Sequence, residues 1–291
     1  MEQLTRTIVI TGASRGLGEA LALLYATHGR TLGLLGRNRV RLEAVAARCR
    51  DRQASVVIGT PDVTDGAALA RWIERFDADH PIDLLIVNAG IFNGHGEIAP
   101  ETVDEVTTIL RTNLEGAVLT IAAALPMMRA RRSGRIAIVG SLAALHPLAD
   151  APAYSASKAG VMGYGEALRE WLAPDNVAVS LIYPGHMKTA QVAHHVGALP
   201  LLMSAEQAAR TIKRGLDRGA STIAFPRRLL WLIRAGRLLP WRLRALLGSG
   251  TRFHVAKPAV NRHRKPHDED RRHGEREDDD EIGRASCRER V

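Results

Sequence analysis

Six times along this 291-residue chain a short apolar, β-rich run is followed by a longer run with helical spacing, and a seventh apolar run closes the series. The apolar runs lie at 7–11, 31–35, 54–58, 83–87, 135–139, 177–182 and 221–225. The helical stretches lie at 14–28, 40–50, 66–76, 102–131, 153–172 and 204–217. Parallel strands need crossovers of about this length, and such crossovers are right-handed. The alternation therefore predicts an α/β fold: a Rossmann-type doubly wound parallel sheet of seven strands with helices on both faces. No linker-like break interrupts it, so residues 1–226 read as a single domain. The hydrophobic fraction of 46% is ample for the core. In open sheets of this kind the ligand lies outside the carboxyl ends of the strands, so chemistry is sought there.

The first strand runs into Thr11-Gly12-Ala13-Ser14-Arg15-Gly16-Leu17-Gly18 and then a helix. Gly12 permits a tight turn, Gly16 a close approach to a pyrophosphate, and Gly18 close packing of helix on strand. The free N–H groups of the helix N-terminus suit a phosphate. After the second strand stands Gly36-Arg37-Asn38, with no acid for the ribose 2′-hydroxyl that NAD-selective members of this fold bind. Arg37, with Arg15 in the glycine turn, suits a 2′-phosphate, so NADP(H) is preferred over NAD(H). The plainer reading makes both ordinary surface arginines.

Tyr154 and Lys158 stand one helical turn apart and share a face. A phenol with a pKa near ~10 is a poor acid–base group at neutral pH, and a nearby ammonium lowers that value. A bare pair of this kind is most often a feature of an exposed helix. Here Ser141 follows the fifth apolar run, Asn88-Ala89-Gly90 follows the fourth, and Asn113 sits in the middle of a helical stretch where its propensity is poor.

Together these residues resemble the short-chain dehydrogenase/reductase family over roughly residues 7–226. The resemblance implies an oxidoreductase that interconverts a carbonyl and a secondary alcohol, with NADP(H) carrying the hydride. It implies that Tyr154 exchanges the proton, Ser141 orients the oxygen, and Lys158 lowers the Tyr154 pKa and holds the nicotinamide ribose. Asn113 would sit in a helix distortion and fix a water beside Lys158. By the same resemblance Thr11, Gly12, Ser14, Arg15, Gly16, Leu17, Gly18, Arg37, Asn88, Ala89 and Gly90 line the cofactor, and Asp62 and Val63 touch its adenine. Asp65 can instead be read as a helix cap. Pro184, Gly185 and Thr189, in a PGxxxT pattern, would cover the nicotinamide. Val87 departs from the family's usual asparagine. His194-His195 has no further ligands near it in sequence, so it reads as part of a lid, with no metal.

After Pro226 the chain departs further. Between Arg227 and Lys257 stand eight basic residues and no acid, interleaved with leucine and tryptophan. Most of the net charge of +9 lies there. Residues 227–257 fit a basic amphipathic segment on an anionic membrane surface. They fit equally a pair of helices closing the pocket or a subunit interface, with arginines pointing outward. A membrane surface would suit a lipid-like 3-oxo substrate. No nucleic-acid motif accompanies the charge. Residues 258–280 read as a disordered charged tail. Residues 281–291, EIGRASCRERV, translate back into a sequence resembling a sequencing adapter and are excluded from the fold.

No run of about 18 apolar residues suggests a membrane span, and no signal peptide is visible. Cys49 and Cys287 make no disulfide framework, which fits a cytoplasmic protein, peripheral on the inner face of a membrane if the basic segment docks there. A homo-oligomer acting on a small carbonyl or alcohol is expected. The rivals from other classes are a catalytically silent NADP-binding scaffold and a membrane-surface protein.

Overall fold

The computed structural model describes residues 5–95, 100–188, 195–196, 202–236, 238–240, 242–243 and 254–255. Strands β1 (Thr7–Thr11), β2 (Thr31–Leu35), β3 (Ser55–Gly59), β4 (Leu84–Val87), β5 (Gly134–Val139), β6 (Val177–Pro184) and β7 (Thr222–Phe225) form one sheet. Its order is β3-β2-β1-β4-β5-β6-β7, and every pairing is parallel. The winding direction reverses between β1 and β4, which opens a crevice at their carboxyl ends.

The period-two alternation of the strands feeds two cores. Ile8, Ile10, Leu32, Leu34 and Val139 point to one face. There they meet Leu21 of α1 (Gly16–Tyr25), Leu42 of α2 (Arg39–Arg50) and Ile212 of α7 (Ala205–Asp217). Val9, Leu85, Ile136, Ile138 and Leu181 point to the other face. They meet Ile73 of α3 (Gly66–Asp79), Ile121 of α5 (Gly116–Arg131) and Val161 of α6 (Pro152–Leu172). Burial of strands on both faces explains why their sequences read as nearly continuous apolar runs.

Helix ends follow local side chains. Asn38 accepts from Arg41 N at 2.9 Å and starts α2, and Asp65 accepts from Ala68 N at 3.0 Å, so the cap reading of Asp65 holds. Thr102 with Glu105, and Ser204 with Gln207, make capping boxes for α4 (Val103–Leu110) and α7. The first helix is shorter than the expected 14–28. Gly12 and Gly16, at φ 68° and 60°, keep the chain turning as far as Arg15, and Gly29 at φ 77° follows its end.

The expected single helix over 102–131 is three pieces. Between α4 and α5 the chain widens into a π-helical turn, Arg111–Glu115, with Asn113 inside it. By length and composition Val103–Arg131 could cross a membrane, yet half of its most apolar window is buried, and Ile121, Ala124 and Met128 belong to the core.

The last described helix, α8 (Arg227–Gly236), bears on both readings of the basic segment. Ile233 is buried, and Leu229 and Leu230 pack on the same core, because α8 leaves β7 directly across that sheet face. Leu229 and Ile233 are therefore turned inward. Trp231 and Leu232 face out at 63% and 68% exposure, beside exposed Arg227, Arg228 and Arg234. Trp241, the tail 258–280 and residues 281–291 lie outside the described residues.

Candidate active site

The glycine turn is keyed into the fourth strand. A side chain at Gly12 would come within 2.9 Å of Ala89 Cα, and one at Gly18 would run into the Gly12 carbonyl and lie 2.7 Å from Asn88 Nδ2. Asn88 Nδ2 donates to the Thr11 and Gly12 carbonyls at 3.0 and 3.3 Å. The Thr11 hydroxyl accepts from Asn88 N and Ala89 N, both at 3.0 Å. Thr11 and Asn88 thus use these polar groups to pin β1 to β4 and to shape the turn. Arg15, at the α1 N-cap, makes no side-chain cap bond, so no capping side chain competes for the first N–H groups of the helix. This donor set, with Ser14 and Leu17 on either side of the exposed Arg15 and half-buried Gly16, fits a pyrophosphate.

Arg37 and Asp62 meet each other: Nη1 to Oδ2 is 3.3 Å. Asp62 Oδ1 takes the Thr64 N–H at 3.0 Å and its hydroxyl at 2.9 Å. Burial pushes the Asp62 carboxyl up, but the Thr64 hydrogen bonds and Arg37 outweigh it and hold it below its usual value. Val63 is buried beside Gly116, whose added Cβ would lie 2.7 Å from it. Its side chain packs on the start of α5.

The residues expected to do chemistry converge at the ends of β4 and β5. Asn113, 1% exposed, clamps Ile91: Oδ1 accepts Ile91 N at 2.7 Å and Nδ2 donates to Ile91 O at 2.9 Å. Nδ2 also donates to Ser157 Oγ at 3.0 Å, and Ser157 donates to the Tyr154 carbonyl at 2.7 Å. The expected helix distortion is present, but the Asn113 side chain serves to fasten loop and helix together. A Cβ on Gly90 would lie 3.2 Å from Asn113 Oδ1 and 3.5 Å from Lys158 Nζ, so the chain passes close to both side chains here.

Lys158 is 6% exposed, and its Nζ donates to the Val139 carbonyl at 3.0 Å and stands 5.8 Å from the Tyr154 ring centroid. Burial pushes the ammonium down to about 8. The Tyr154 phenol is pushed up by burial, while its hydrogen bond with Ser141 acts the other way. In this arrangement burial dominates, and the Tyr154 pKa lies above its ordinary value. The crevice disfavours both charged forms, and the ammonium is engaged by a carbonyl. Ser141 Oγ also accepts Ala143 N at 3.1 Å, which fixes its direction at the end of β5.

Pro184 ends β6, and Gly185 lies against the start of α8: Gly185 N donates to Phe225 O at 2.7 Å, and an added Cβ would meet Pro226 Cδ at 2.8 Å. Thr189 and His194 lie outside the described residues. His195–Val196 pairs antiparallel with His254–Val255. Among the described residues no three His, Cys, Asp or Glu side chains gather as a metal site.

Sequence reasoning missed three residues of this site: Ser157, the bridge just described; Phe92, whose ring stands edge-on to Tyr154 with centroids 4.8 Å apart; and Glu101, whose carboxylate accepts Ala153 N at 3.1 Å. A serine between Tyr154 and Lys158 was visible as a candidate. Nothing local marked the other two.

The short chain dehydrogenase family model matches residues 6–197. An uncharacterized oxidoreductase of Myxococcus xanthus is 35% identical over 236 residues, covering 81% of this chain and 93% of its own length. The 3-dehydrosphinganine reductase TSC10B of Arabidopsis thaliana is 35% identical over 204 residues, covering 68% of this chain and 60% of its own. A short-chain dehydrogenase from Sphingobium yanoikuyae, solved in complex with NADPH, superposes with a TM-score of 0.71 at 29% identity, covering 85% of this chain and 96% of its own. With that match across the sheet and the site, the chain belongs to the short-chain dehydrogenase/reductase family and is a nicotinamide-dependent oxidoreductase.

Proposed function

We propose that the protein is an NADP(H)-dependent reductase of ketones, working reversibly on the secondary alcohol, with a lipid-like 3-oxo compound as substrate. The observation that carries this reading is the convergence of three groups at the end of β5: the Ser141 hydroxyl acts on the Tyr154 phenol, and the Lys158 ammonium stands 5.8 Å from the centre of its ring. Two hydroxyls so placed can both reach one carbonyl oxygen. The bound nicotinamide supplies the hydride.

Burial holds the proton on Tyr154 at neutral pH, as a donor in reduction requires. Ser141, braced by Ala143 N, steadies the same oxygen. Lys158 lies on the inner side, where its positive charge favours the phenolate left when the proton has gone. By resemblance it also holds the ribose hydroxyls, and Asn113 supports a water beside it.

The cofactor preference is supported by Arg37 and Arg15, both exposed, and by the lack of an acid at the end of β2. A 2′-phosphate would compete with Asp62 for Arg37. The substrate class is supported by the name of the Arabidopsis relative and by the exposed Trp231 and Leu232 among arginines. That surface suits an anionic membrane on its cytoplasmic side, with the protein peripheral there as a homo-oligomer.

The test is a panel of ketones, long-chain 3-oxo lipids included, assayed with NADPH and NADH for wild type and Tyr154→Phe. Wild type should oxidise NADPH in preference to NADH. Tyr154→Phe should bind NADPH normally and lose about 10²–10⁴-fold in kcat, the usual scale for a general acid. Near-wild-type turnover in the variant would sink the mechanism.

A further inference from the structure

Phe92 belongs to neither hydrophobic core, yet it is held in place. Before it, both backbone groups of Ile91 are clamped by Asn113 at 2.7 and 2.9 Å. After it, Asn93 Nδ2 donates to Glu105 at 2.8 Å, and Asn93 Oδ1 takes the Gly94 N–H at 2.9 Å. A little further on, His95 N donates to the Asp150 carbonyl at 2.7 Å. The ring between these anchors meets the Tyr154 ring at 4.8 Å and 70°, an edge-to-face contact. Two other groups act on Tyr154: Lys158 approaches its ring, and the Ser141 hydroxyl lowers the pKa of its phenol. Phe92 and Tyr154 are both half-buried residues.

We propose that Phe92 is a specificity-determining residue of this enzyme: its ring walls the space beside the Tyr154 hydroxyl and limits the bulk of one substituent on the carbonyl carbon. This inference rests on the carbonyl-binding role of Ser141 and Tyr154. A carbonyl oxygen held by those hydroxyls places one of its substituents within a ring's width of Phe92. A ring whose backbone is anchored on both sides and whose edge meets Tyr154 discriminates by size, because turning aside gives up that aromatic contact. Even one methylene in an apolar pocket changes selectivity by about 10–200-fold, and a phenyl group occupies far more space.

The experiment compares wild type, Phe92→Ala and Phe92→Leu on two ketones, a small methyl ketone and a bulky aryl ketone. Two ratios are read for each variant. One is the bulky-to-small ratio of kcat/KM. The other is the bulky-to-small ratio of affinity for the NADP⁺-loaded protein by calorimetry, which needs no turnover. Phe92→Ala should raise both ratios by about tenfold or more, with Phe92→Leu in between, and leave NADP⁺ affinity within about twofold. If Phe92→Ala fails to fold, Phe92→Leu carries the comparison. Absence of turnover in wild type, with a shifted affinity ratio, would overturn the reductase reading and leave this inference standing. Ratios unmoved in both measurements, or no binding of either ketone, would overturn the inference.

Discussion

Lys158 carries the heaviest electrostatic burden in the site: a buried ammonium whose acceptor among the described residues is the Val139 carbonyl. Burial lowers its pKa from 10.5 to about 8, so the folded chain releases this proton before the unfolded chain does. Between about pH 8 and 10.5 the unfolded state therefore binds more protons, and stability from this group rises with pH. Wild type measured against Lys158→Met should gain relative stability across that window and show a flat difference below it. Thermal melts of the cofactor-free proteins at stepped pH check this, and a difference that falls as pH rises would contradict the burial of the charge. Much of the residue scale was legible. Tyr154 and Lys158 share a helix face by spacing alone, and the glycines announce a turn. The direction of the Tyr154 shift was not, because sequence spacing gives the distance to a charge but no measure of how dry the crevice is. The pairing of Arg37 with Asp62 was hidden for a related reason, since the two come from the ends of different strands.

At the scale of elements the catalytic helix depends on a distant cap. α6 begins at Pro152 after Ala151, which has no side-chain acceptor, and Glu101 supplies one by accepting Ala153 N at 3.1 Å. Its other oxygen, Oε1, is buried with no partner among the described residues. The cap should be worth about 1 kcal/mol, or about 2–4 °C in Tm for a domain of this size. Glu101→Ala should show that loss by calorimetry, while Glu101→Gln, which keeps an acceptor, should retain most of the stability. Equal melting of all three would mean that the unpartnered oxygen cancels the cap. The seven strands and most helices were readable because each buried face repeats its own period. The π turn at Arg111–Glu115 was not readable as such; the asparagine within it hinted at a distortion, but its use as a clamp for Ile91 depends on tertiary packing. Glu101 was missed because its partner lies more than fifty residues away.

At the scale of the whole molecule, α8 divides its residues between two surroundings. Ile233, Leu229 and Leu230 complete the core, while Trp231 and Leu232 stand outside with Arg227, Arg228 and Arg234. If the outer face docks on lipid, wild type should float with anionic vesicles more than with neutral ones, and salt should release part of it, since each basic residue near such a surface adds about 1 kcal/mol. Trp231→Ser with Leu232→Ser should weaken binding without unfolding the core, whereas Ile233→Ser should destabilise the fold. Wild type remaining with the soluble fraction on anionic vesicles at low salt would remove this surface as a membrane contact. The sequence showed the charge and the apolar content of α8, but helical spacing alone did not separate its inner from its outer residues. The seam between β1 and β4 has a different consequence. There the Thr11 hydroxyl and the Asn88 amide rivet the two halves of the sheet together, directly beneath the crevice. Halves joined in this way do not part like a book at its spine.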